Sequence, residues 1–350
     1  MIEEFQKFLN RRSRSETTST RLRTLDRVDD RSLLLLLRDG SPYIPAGVVG
    51  GCLRFFDDSA RPSSYRSAHG RSLTLTACGP EAVRQDVAET ADLIGRFFES
   101  ISSVRSVRLY YVPVLGEKRT RPGEGRRLAT PISAIDVNSG VTQHLDGETA
   151  VVLVYRRQEA AKVVVHELLH AYRLDATGFI GDDGRWLAAG RALADRWGVR
   201  SSVQVRLNEA YTETLASFLY AAVAGLDMER MRAHFLDQAE KVICILLATG
   251  MQQATHAFEY YVVKAALFHA RSAAQVARLF DEDDAARRRR RSARGRGDDD
   301  ERLLGIMFDS TNEYMARAAG CGLSMTTGGA APRSPARAAA LDLPRSARRS

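Results

Sequence analysis

Residues 163–172, V-V-V-H-E-L-L-H-A-Y, place two histidines and a glutamate inside an otherwise apolar segment. Such a segment suits a core helix, in which ionisable groups need partners because burying them unpaired is costly. His166 and His170 stand four residues apart, so that a helix presents both imidazoles on one face, where they could hold one ion. Glu167 follows about 100° round the helix, beside that position, where a carboxylate can take a proton from water. The pattern H-E-x-x-H therefore predicts a metal-dependent hydrolytic site.

A second segment, residues 207–216, has the sequence L-N-E-A-Y-T-E-T-L-A. Glu209 and Glu213 are again four apart and share one face of an apolar helix. We expect Ser201 and Gln204 to form a capping box at the start of this helix. Catalytic zinc takes three protein ligands and keeps a fourth position open. An ion and a ligating histidine would give the two buried carboxylates the partners that they need.

Together these segments resemble the motifs of the thermolysin-like gluzincins, a group of zinc metallopeptidases. That group has H-E-x-x-H on one helix and N-E-x-x-[ST]-[DE] on a later one, and H-E-L-L-H and N-E-A-Y-T-E match them in order. The resemblance implies that His166, His170 and Glu209 bind one zinc ion and that Glu167 is the general base.

The same resemblance implies supporting roles for two further residues. Glu213 would accept a hydrogen bond from the far nitrogen of a ligand histidine and so fix its tautomer. Asn208 would orient backbone near the site. A salt bridge from Glu213 to an arginine remains an alternative to the first role. The resemblance also implies a zincin-like fold.

Some features depart from the family pattern. The 38 residues between His170 and Glu209 exceed the gap in thermolysin. The absence of a third histidine shortly after His170 argues against the separate family that uses H-E-x-x-H-x-x-G-x-x-H. The G-x-M-E-N signature of the aminopeptidase branch is also missing, so endopeptidase action is favoured. The group's oxyanion-stabilising histidine or tyrosine has no firm match. The segment T-H-A-F-E-Y-Y offers His256 and Tyr260, one helical turn apart, as catalytic candidates, and ordinary packing is the alternative for both. Tyr261 and His269 are weaker candidates.

The order of strands and helices predicts an α+β protein with a small mixed sheet, a backing helix and an active-site helix, followed by a mostly helical C-terminal half. Alternating or β-branched stretches predict strands at residues 72–78, 104–114, 132–137, 141–145 and 150–155, with a hairpin loop at 138–140. Helices are predicted at residues 81–101, 157–175 and 186–197.

This pattern divides the chain into six segments. Residues 1–30 are predicted to be a disordered basic N-terminus, and residues 31–175 an α+β subdomain that ends in the H-E-x-x-H helix. A helical subdomain with the third ligand follows at 176–280. The rest is predicted to be a charged disordered loop at 281–301, a helix at 302–320 and a disordered tail at 321–350.

The composition indicates the compartment in which the protein functions. The four cysteines are far apart and form no C-x-x-C pair, which argues against a disulfide framework and favours a reducing compartment. The longest early apolar run, residues 33–37, is too short for a signal peptide, and no stretch approaches the roughly 18 apolar residues of a membrane helix. We expect an intracellular protein without membrane contact, in the cytoplasm or the nucleus.

The net charge is +8, and Arg287 to Arg291 are five consecutive arginines. Both features are compatible with binding to nucleic acid. Acidic clusters on both sides would partly neutralise the arginines, and no aromatic residue interleaves with them for base stacking. A solvated loop is the alternative to a nucleic-acid contact or a nuclear-import signal.

These observations predict a zinc-dependent peptide-bond hydrolase with a peptide or protein substrate. Two alternatives stay open. One is a catalytically degenerate zinc-binding protein that acts as a binding module. The other is an arginine-rich protein, nucleic-acid-associated or structural, in which the motif is incidental and the histidines are core residues.

Overall fold

The computed structural model describes residues 1–15, 23–24, 31–39, 44–57, 63–66, 72–79, 81–118, 131–175, 184–269, 271–293 and 300–325. Its centre is a six-stranded mixed sheet in the order β1-β2-β3-β4-β6-β5. The strands are β1 (Arg23–Thr24), β2 (Ser63–Arg66), β3 (Leu73–Ala77), β4 (Ser106–Leu115), β5 (Gly140–His144) and β6 (Thr149–Arg156). β3, β4 and β6 run parallel, whereas β5 pairs antiparallel with β6 at the end of the sheet.

Alternating side chains of the central strands feed two separate cores, since successive residues of a strand face opposite sides of the sheet. On β6, Val152 and Val154 belong to the larger core, whereas Val151 and Leu153 belong to the smaller one. Helices α2 (Arg31–Asp39) and α3 (Ala46–Asp57) cover the smaller core. Helix α4 (Glu81–Glu99) lies on the other face.

The larger core continues without a break into the helical half of the chain. It includes α1 (Ile2–Ser15), α6 (Ala160–Ala171), α7 (Gly184–Trp197), α8 (Leu207–Ala224), α9 (Met228–Ala248), a π-helical segment (Phe258–Val263), α10 (Lys264–His269), α11 (Ala273–Ala293) and α12 (Asp300–Met325). A short helix α5 (Ala134–Val137) and the two-residue strands β7 (Arg200–Ser201) and β8 (Gln252–Gln253) complete the described elements. The protein is thus a mixed α and β structure with a small mixed sheet and many helices. No helix in the described ranges has an apolar stretch that could cross a lipid bilayer.

The long periodic segments form as predicted. Strands occur at Leu73–Ala77, Ser106–Leu115 and Thr149–Arg156, and helices at Glu81–Glu99 and Gly184–Trp197. The predicted helix at 302–320 lies within Asp300–Met325.

The prediction of a strand at residues 132–137 is wrong. Ile132 makes a single bridge to Gln253, and α5 follows at once. Ser133 and Asp136 cap this helix reciprocally, each accepting from the backbone of the other's position, and this local chemistry overrides the β-propensity of the segment. The sheet's hairpin therefore joins β5 to β6 through residues 145–148 instead of lying at 138–140.

Two predictions of disorder are also wrong where the structure describes the chain. Within residues 1–30, α1 is helical, and Phe5 is fully buried against the larger core. Within 281–301, α11 continues to Ala293, and Asp281 and Asp284 accept hydrogen bonds of 2.8 and 2.7 Å from the amino group of Met1. A cluster of charges here forms long-range ion pairs as well as a solvated surface. Residues 294–299, and 326–350 of the predicted tail, lie outside the described residues.

Arg287 to Arg291 belong to helix α11, but their side chains are outside the described part of the structure. A contact with nucleic acid stays a prediction.

Candidate metal centre

Helix α6 enters the core immediately after β6, and its packing explains how ionisable groups come to be buried. Val164, Val165, Leu168 and Leu169 are fully buried, so that the helix meets protein on nearly every side. His166 is 5% exposed as a result. The four-residue spacing brings His166 Nε2 to 3.1 Å from His170 Nε2, so both imidazoles point at one place.

Helix α8 carries the third group to the same place. Glu209 Oε2 lies 3.7 Å from His166 Nε2 and 3.5 Å from His170 Nε2. A tetrahedral ion with bonds of about 2.0–2.1 Å separates neighbouring ligand atoms by about 3.3 Å. The three side chains are 7%, 16% and 13% exposed, so the group is largely buried but still reached by solvent. The donor set and its spacing fit, and these three groups could hold a metal ion.

The electrostatics of the three groups favour positive charge at their centre. Burial opposes protonation of His170, but the nearby Glu209 and Asp175 outweigh it and raise the pKa of His170 well above its usual value. Burial would raise the pKa of Glu209, yet the histidines hold that pKa well below the usual range. A site that stabilises cationic imidazoles next to a carboxylate also suits a divalent cation, which would replace the protons.

Two carboxylates contact the candidate ligand histidines at the Nδ1 atoms, on the side away from Glu209 Oε2. Glu213 Oε2 lies 3.1 Å from His166 Nδ1, and Asp175 Oδ2 lies 2.7 Å from His170 Nδ1. When Nδ1 donates to a carboxylate, the Nε2 atom keeps its lone pair for a metal. Glu213 thus contacts the far nitrogen of His166, and its role in fixing the tautomer of a metal ligand stays a prediction.

Asp175, which stands beyond the end of α6, was not among the predicted site residues. Arg173 adopts a left-handed conformation (φ 54°), and the Leu174 N–H donates to the Leu169 carbonyl. This turn folds the chain back over the helix end and carries Asp175 to His170. The available signal was an acidic residue just after a histidine-bearing helix.

Glu167 faces the first residues of β5. Thr142 Oγ1 contacts its carboxylate Oε2 at 2.7 Å and its backbone oxygen at 3.0 Å. A Cβ atom at Gly140 would lie 2.8 Å from Glu167 Cγ and Oε1, so only glycine allows this approach. Burial raises the pKa of Glu167 above its usual value, with the histidines acting in the opposite direction. A carboxylate with a raised pKa, held in one orientation, is suited to receive a proton.

Helix α8 does not begin in the predicted way. Its capping box at Ser201 and Gln204 is absent, because the helix starts at Leu207 and Ser201 belongs to β7. Glu259 accepts a hydrogen bond of 2.9 Å from the Arg206 N–H at the helix start instead. The helix end that carries Glu209 is thus fixed by a distant carboxylate.

Asn208 is 2% exposed, and its Oδ1 has no hydrogen-bond partner among the described residues. Its carbonyl oxygen accepts from Thr212 Oγ1 at 2.9 Å. A role for its side chain in orienting backbone stays a prediction.

The π-helical segment brings Tyr260 to the candidate ligands, and such segments are frequent at functional sites. Tyr260 donates its hydroxyl hydrogen to Glu209 Oε2 at 3.3 Å, and its ring lies edge-on to His166 with 5.7 Å between centroids. Burial and the surrounding carboxylates raise the pKa of Tyr260 well above its usual value, so the hydroxyl stays protonated and can donate.

The other aromatic candidates lie farther from the ligands or have other partners. His256 packs against Tyr260, but its Nδ1 pairs with Glu259 at 2.8 Å. His269 contacts Arg317 at 3.1 Å and belongs to the packing between α10 and α12. Tyr261 lines the cleft described below.

Two lysines reach Glu213 from the side opposite His166. Lys162 Nζ donates to Glu213 Oε1 at 2.5 Å and Lys264 Nζ to the same oxygen at 3.0 Å. The alternative of a salt bridge to Glu213 is thus realised together with the histidine contact, and with lysines in place of an arginine. Sequence reasoning missed both lysines, although Lys162 stands one turn before His166.

A small cleft, partly open to solvent, adjoins His166 and Glu167. The segment from Val137 to Gly140 forms one wall, and Val163, Glu213 and Tyr260 also contribute. Lys118, Lys162 and Tyr261 complete its lining. Of the three candidate ligands, His166 therefore borders a cleft that is open to solvent.

No family model, curated protein or solved structure matches the chain. The case for a function therefore depends on the geometry of the site.

Proposed function

We propose that this protein is a zinc-dependent metallopeptidase of gluzincin type that hydrolyses internal peptide bonds, with a zincin-like fold. The observation that carries the proposal is the convergence of His166, His170 and Glu209 from two helices, with Glu167 beside them. Two neutral imidazoles and one carboxylate suit zinc among the divalent metals.

Each residue then has a task in amide hydrolysis. A bound zinc ion would polarise the scissile carbonyl and lower the pKa of water. Glu167 takes the proton of the attacking water and passes it to the leaving amine, and Thr142 holds its carboxylate in place. Tyr260 keeps its proton and sits beside Glu209, from where its hydroxyl can donate to the developing oxyanion.

The open edge of the sheet has backbone groups to which a peptide substrate could bind. Tyr155 N–H donates to the Ser139 carbonyl and Leu145 N–H to the Thr149 carbonyl, so the odd-numbered residues of this stretch bond to β6. Because backbone groups alternate along an antiparallel strand, Gly140 and Thr142 present theirs to the open edge. An extended peptide can add there as a further strand, and the same two residues contact Glu167.

The experiment combines metal analysis with one variant. Purified protein should contain about one zinc ion per chain. E167Q should keep the zinc and lose cleavage of a diverse peptide library, whereas the matched variant E240Q, at an exposed position of α9, should cleave as the wild type does. Protein without a bound metal would refute the proposal. Zinc binding without any cleavage by the wild type would replace it with a zinc-dependent binding module.

A further inference from the structure

Five charged side chains form a cluster at the end of the cleft that Lys118 and Lys162 line, and Glu213 connects this cluster to His166. They are Lys118, Glu159, Lys162, Glu213 and Lys264. Lys118 Nζ lies 2.9 Å from Glu159 Oε2, whereas Lys162 and Lys264 share one oxygen of Glu213. All five side chains are at most 21% exposed. Three ammonium groups thus share two carboxylates.

The ion pairs within the cluster leave one ammonium charge unbalanced. Glu167 and Glu209 face the ligand histidines, where a divalent ion would balance their two charges. His234 lies within electrostatic range of the cluster, and burial lowers its pKa, so it is neutral at pH 7. Within the described part of the chain, the cluster therefore carries one surplus positive charge in a partly desolvated setting.

The surplus charge bears on Lys264, the most buried of the three lysines. Burial lowers the pKa of Lys264 to about 8, and the charge of Lys162 acts in the same direction against the attraction of Glu213. Lys264 lies behind the cleft, whereas Lys118 and Lys162 line it. An anion in the cleft would meet two ammonium groups directly and would relieve the repulsion within the cluster.

We propose that this end of the cleft binds a carboxylate of the substrate, held by Lys118 and Lys162, and that the enzyme prefers peptides with a carboxylate close to the cleaved bond. The inference rests on the proposed function, because it names the substrate class of that same site. Hydrogen bonds from ammonium to carboxylate are stronger than those between neutral groups, and a partly buried cleft screens them less than bulk water does. The carboxylate is an acidic side chain or the C-terminus of the peptide.

The test compares matched peptides that differ by one group. The best-cleaved sequence of a peptide library is remade with Glu or Gln at each position next to the cleaved bond, in each case with an amidated or a free C-terminus. The Glu/Gln and free/amidated ratios of kcat/KM separate the two sources of the carboxylate. Both ratios are independent of the fraction of folded enzyme, since both peptides meet the same preparation. We expect one ratio to reach about tenfold or more.

Two variants of one ion pair should shift this ratio in opposite directions. E159Q removes the carboxylate that competes for Lys118 and should raise the ratio. K118Q/E159Q replaces the pair without leaving a buried charge and should lower the ratio towards one. A ratio that K118Q/E159Q leaves unchanged would overturn the inference, because the carboxylate would then be bound elsewhere, for example by the metal.

Binding to zinc-loaded E167Q keeps this inference separable from the proposed function. Isothermal titration calorimetry with the same peptides should show the carboxylate preference, and adding K118Q/E159Q to E167Q should remove it. Cleavage without any carboxylate preference overturns the inference and leaves the peptidase intact. A preference in binding without cleavage by the wild type supports the inference and overturns the peptidase.

Discussion

The substitution E213Q measures how much one buried carboxylate stabilises the metal-free protein. Glu213 holds the ammonium groups of Lys162 and Lys264 at 2.5 and 3.0 Å, and both lysines are at most 5% exposed. Glutamine has nearly the same size, so the packing is kept while two cations lose their anion. Breaking a buried ion pair by removing one partner costs about 3–5 kcal/mol. This is a large part of the roughly 5–15 kcal/mol that stabilises a typical native protein.

The pKa of Lys264 determines how much of the lost stability comes from Lys264 and how much from Lys162. With Glu213 present, burial already lowers this pKa from 10.5 to about 8. Releasing the proton at pH 7 therefore costs about 1 kcal/mol, since one pKa unit corresponds to ~1.4 kcal/mol. Lys264 becomes neutral in E213Q at this small cost, and Lys162 accounts for the remaining loss.

The sign of the pH dependence follows from the same value. A lysine whose folded pKa lies below its unfolded pKa makes the native state more stable as the pH rises from the folded towards the unfolded pKa. In E213Q the folded pKa of Lys264 falls below 8, so this gain begins at a lower pH than in the wild type. The deficit of E213Q should therefore shrink as the pH is raised from 7 to 8.

Urea denaturation with EDTA present gives the free energy of unfolding at each pH. The double variant E213Q/K264M should recover at least about 1 kcal/mol of the loss, because it removes the unpaired lysine as well. The surface variant E240Q should stay within about 0.5 kcal/mol of the wild type. A loss under about 1 kcal/mol for E213Q, or a further loss on adding K264M, would refute the reasoning.

Three further predictions concern the metal and the catalytic groups. The affinity for zinc should fall as the pH is lowered from 8 to 6, because the pKa of both candidate ligand histidines is raised in the metal-free protein despite burial. Calorimetry in two buffers should give the number of protons that zinc displaces. Y260F should lower kcat by about 10- to 1,000-fold without changing zinc content, whereas Y314F, which removes a buried hydroxyl that has no partner in the described structure, should leave kcat unaltered. G140A should lower kcat while zinc is retained, because the added methyl group meets Glu167 at 2.8 Å; full activity would contradict this.

The candidate ligands were predictable from the sequence because they depend on helical periodicity. Four residues bring His166 and His170 to one face whatever surrounds the helix, and the same rule applies to Glu209 and Glu213. That the two helices meet was an inference from the resemblance and from the need of buried charges for partners. The distances of 3.1 to 3.7 Å among the three ligand atoms agree with it.

The partners of these residues were less accessible to sequence reasoning because each arrives from a distant part of the chain. Thr142 reaches Glu167 from the edge strand, and Lys264 reaches Glu213 across 51 positions of sequence. Such contacts follow from how strands and helices pack, and no local spacing predicts them. The wrong predictions of disorder have a related cause. The sequence alone does not show that Asp281 and Asp284 pair with the amino group of Met1, which is distant along the chain.

Arg156 illustrates why the set of candidate ligands was easier to predict than the lining of the cleft. It ends a buried strand, is 1% exposed, and donates to the backbone oxygens of Glu117, Ile135 and Asn138. These three carbonyls belong to the segments that carry Lys118 and the cleft wall at 137–140, so one guanidinium ties the wall to the lysine. A helix repeat places the candidate ligands on one face, whereas the contacts of Arg156 position the wall of the cleft. The shape of the cleft therefore depends on contacts between distant parts of the chain, which no local spacing predicts.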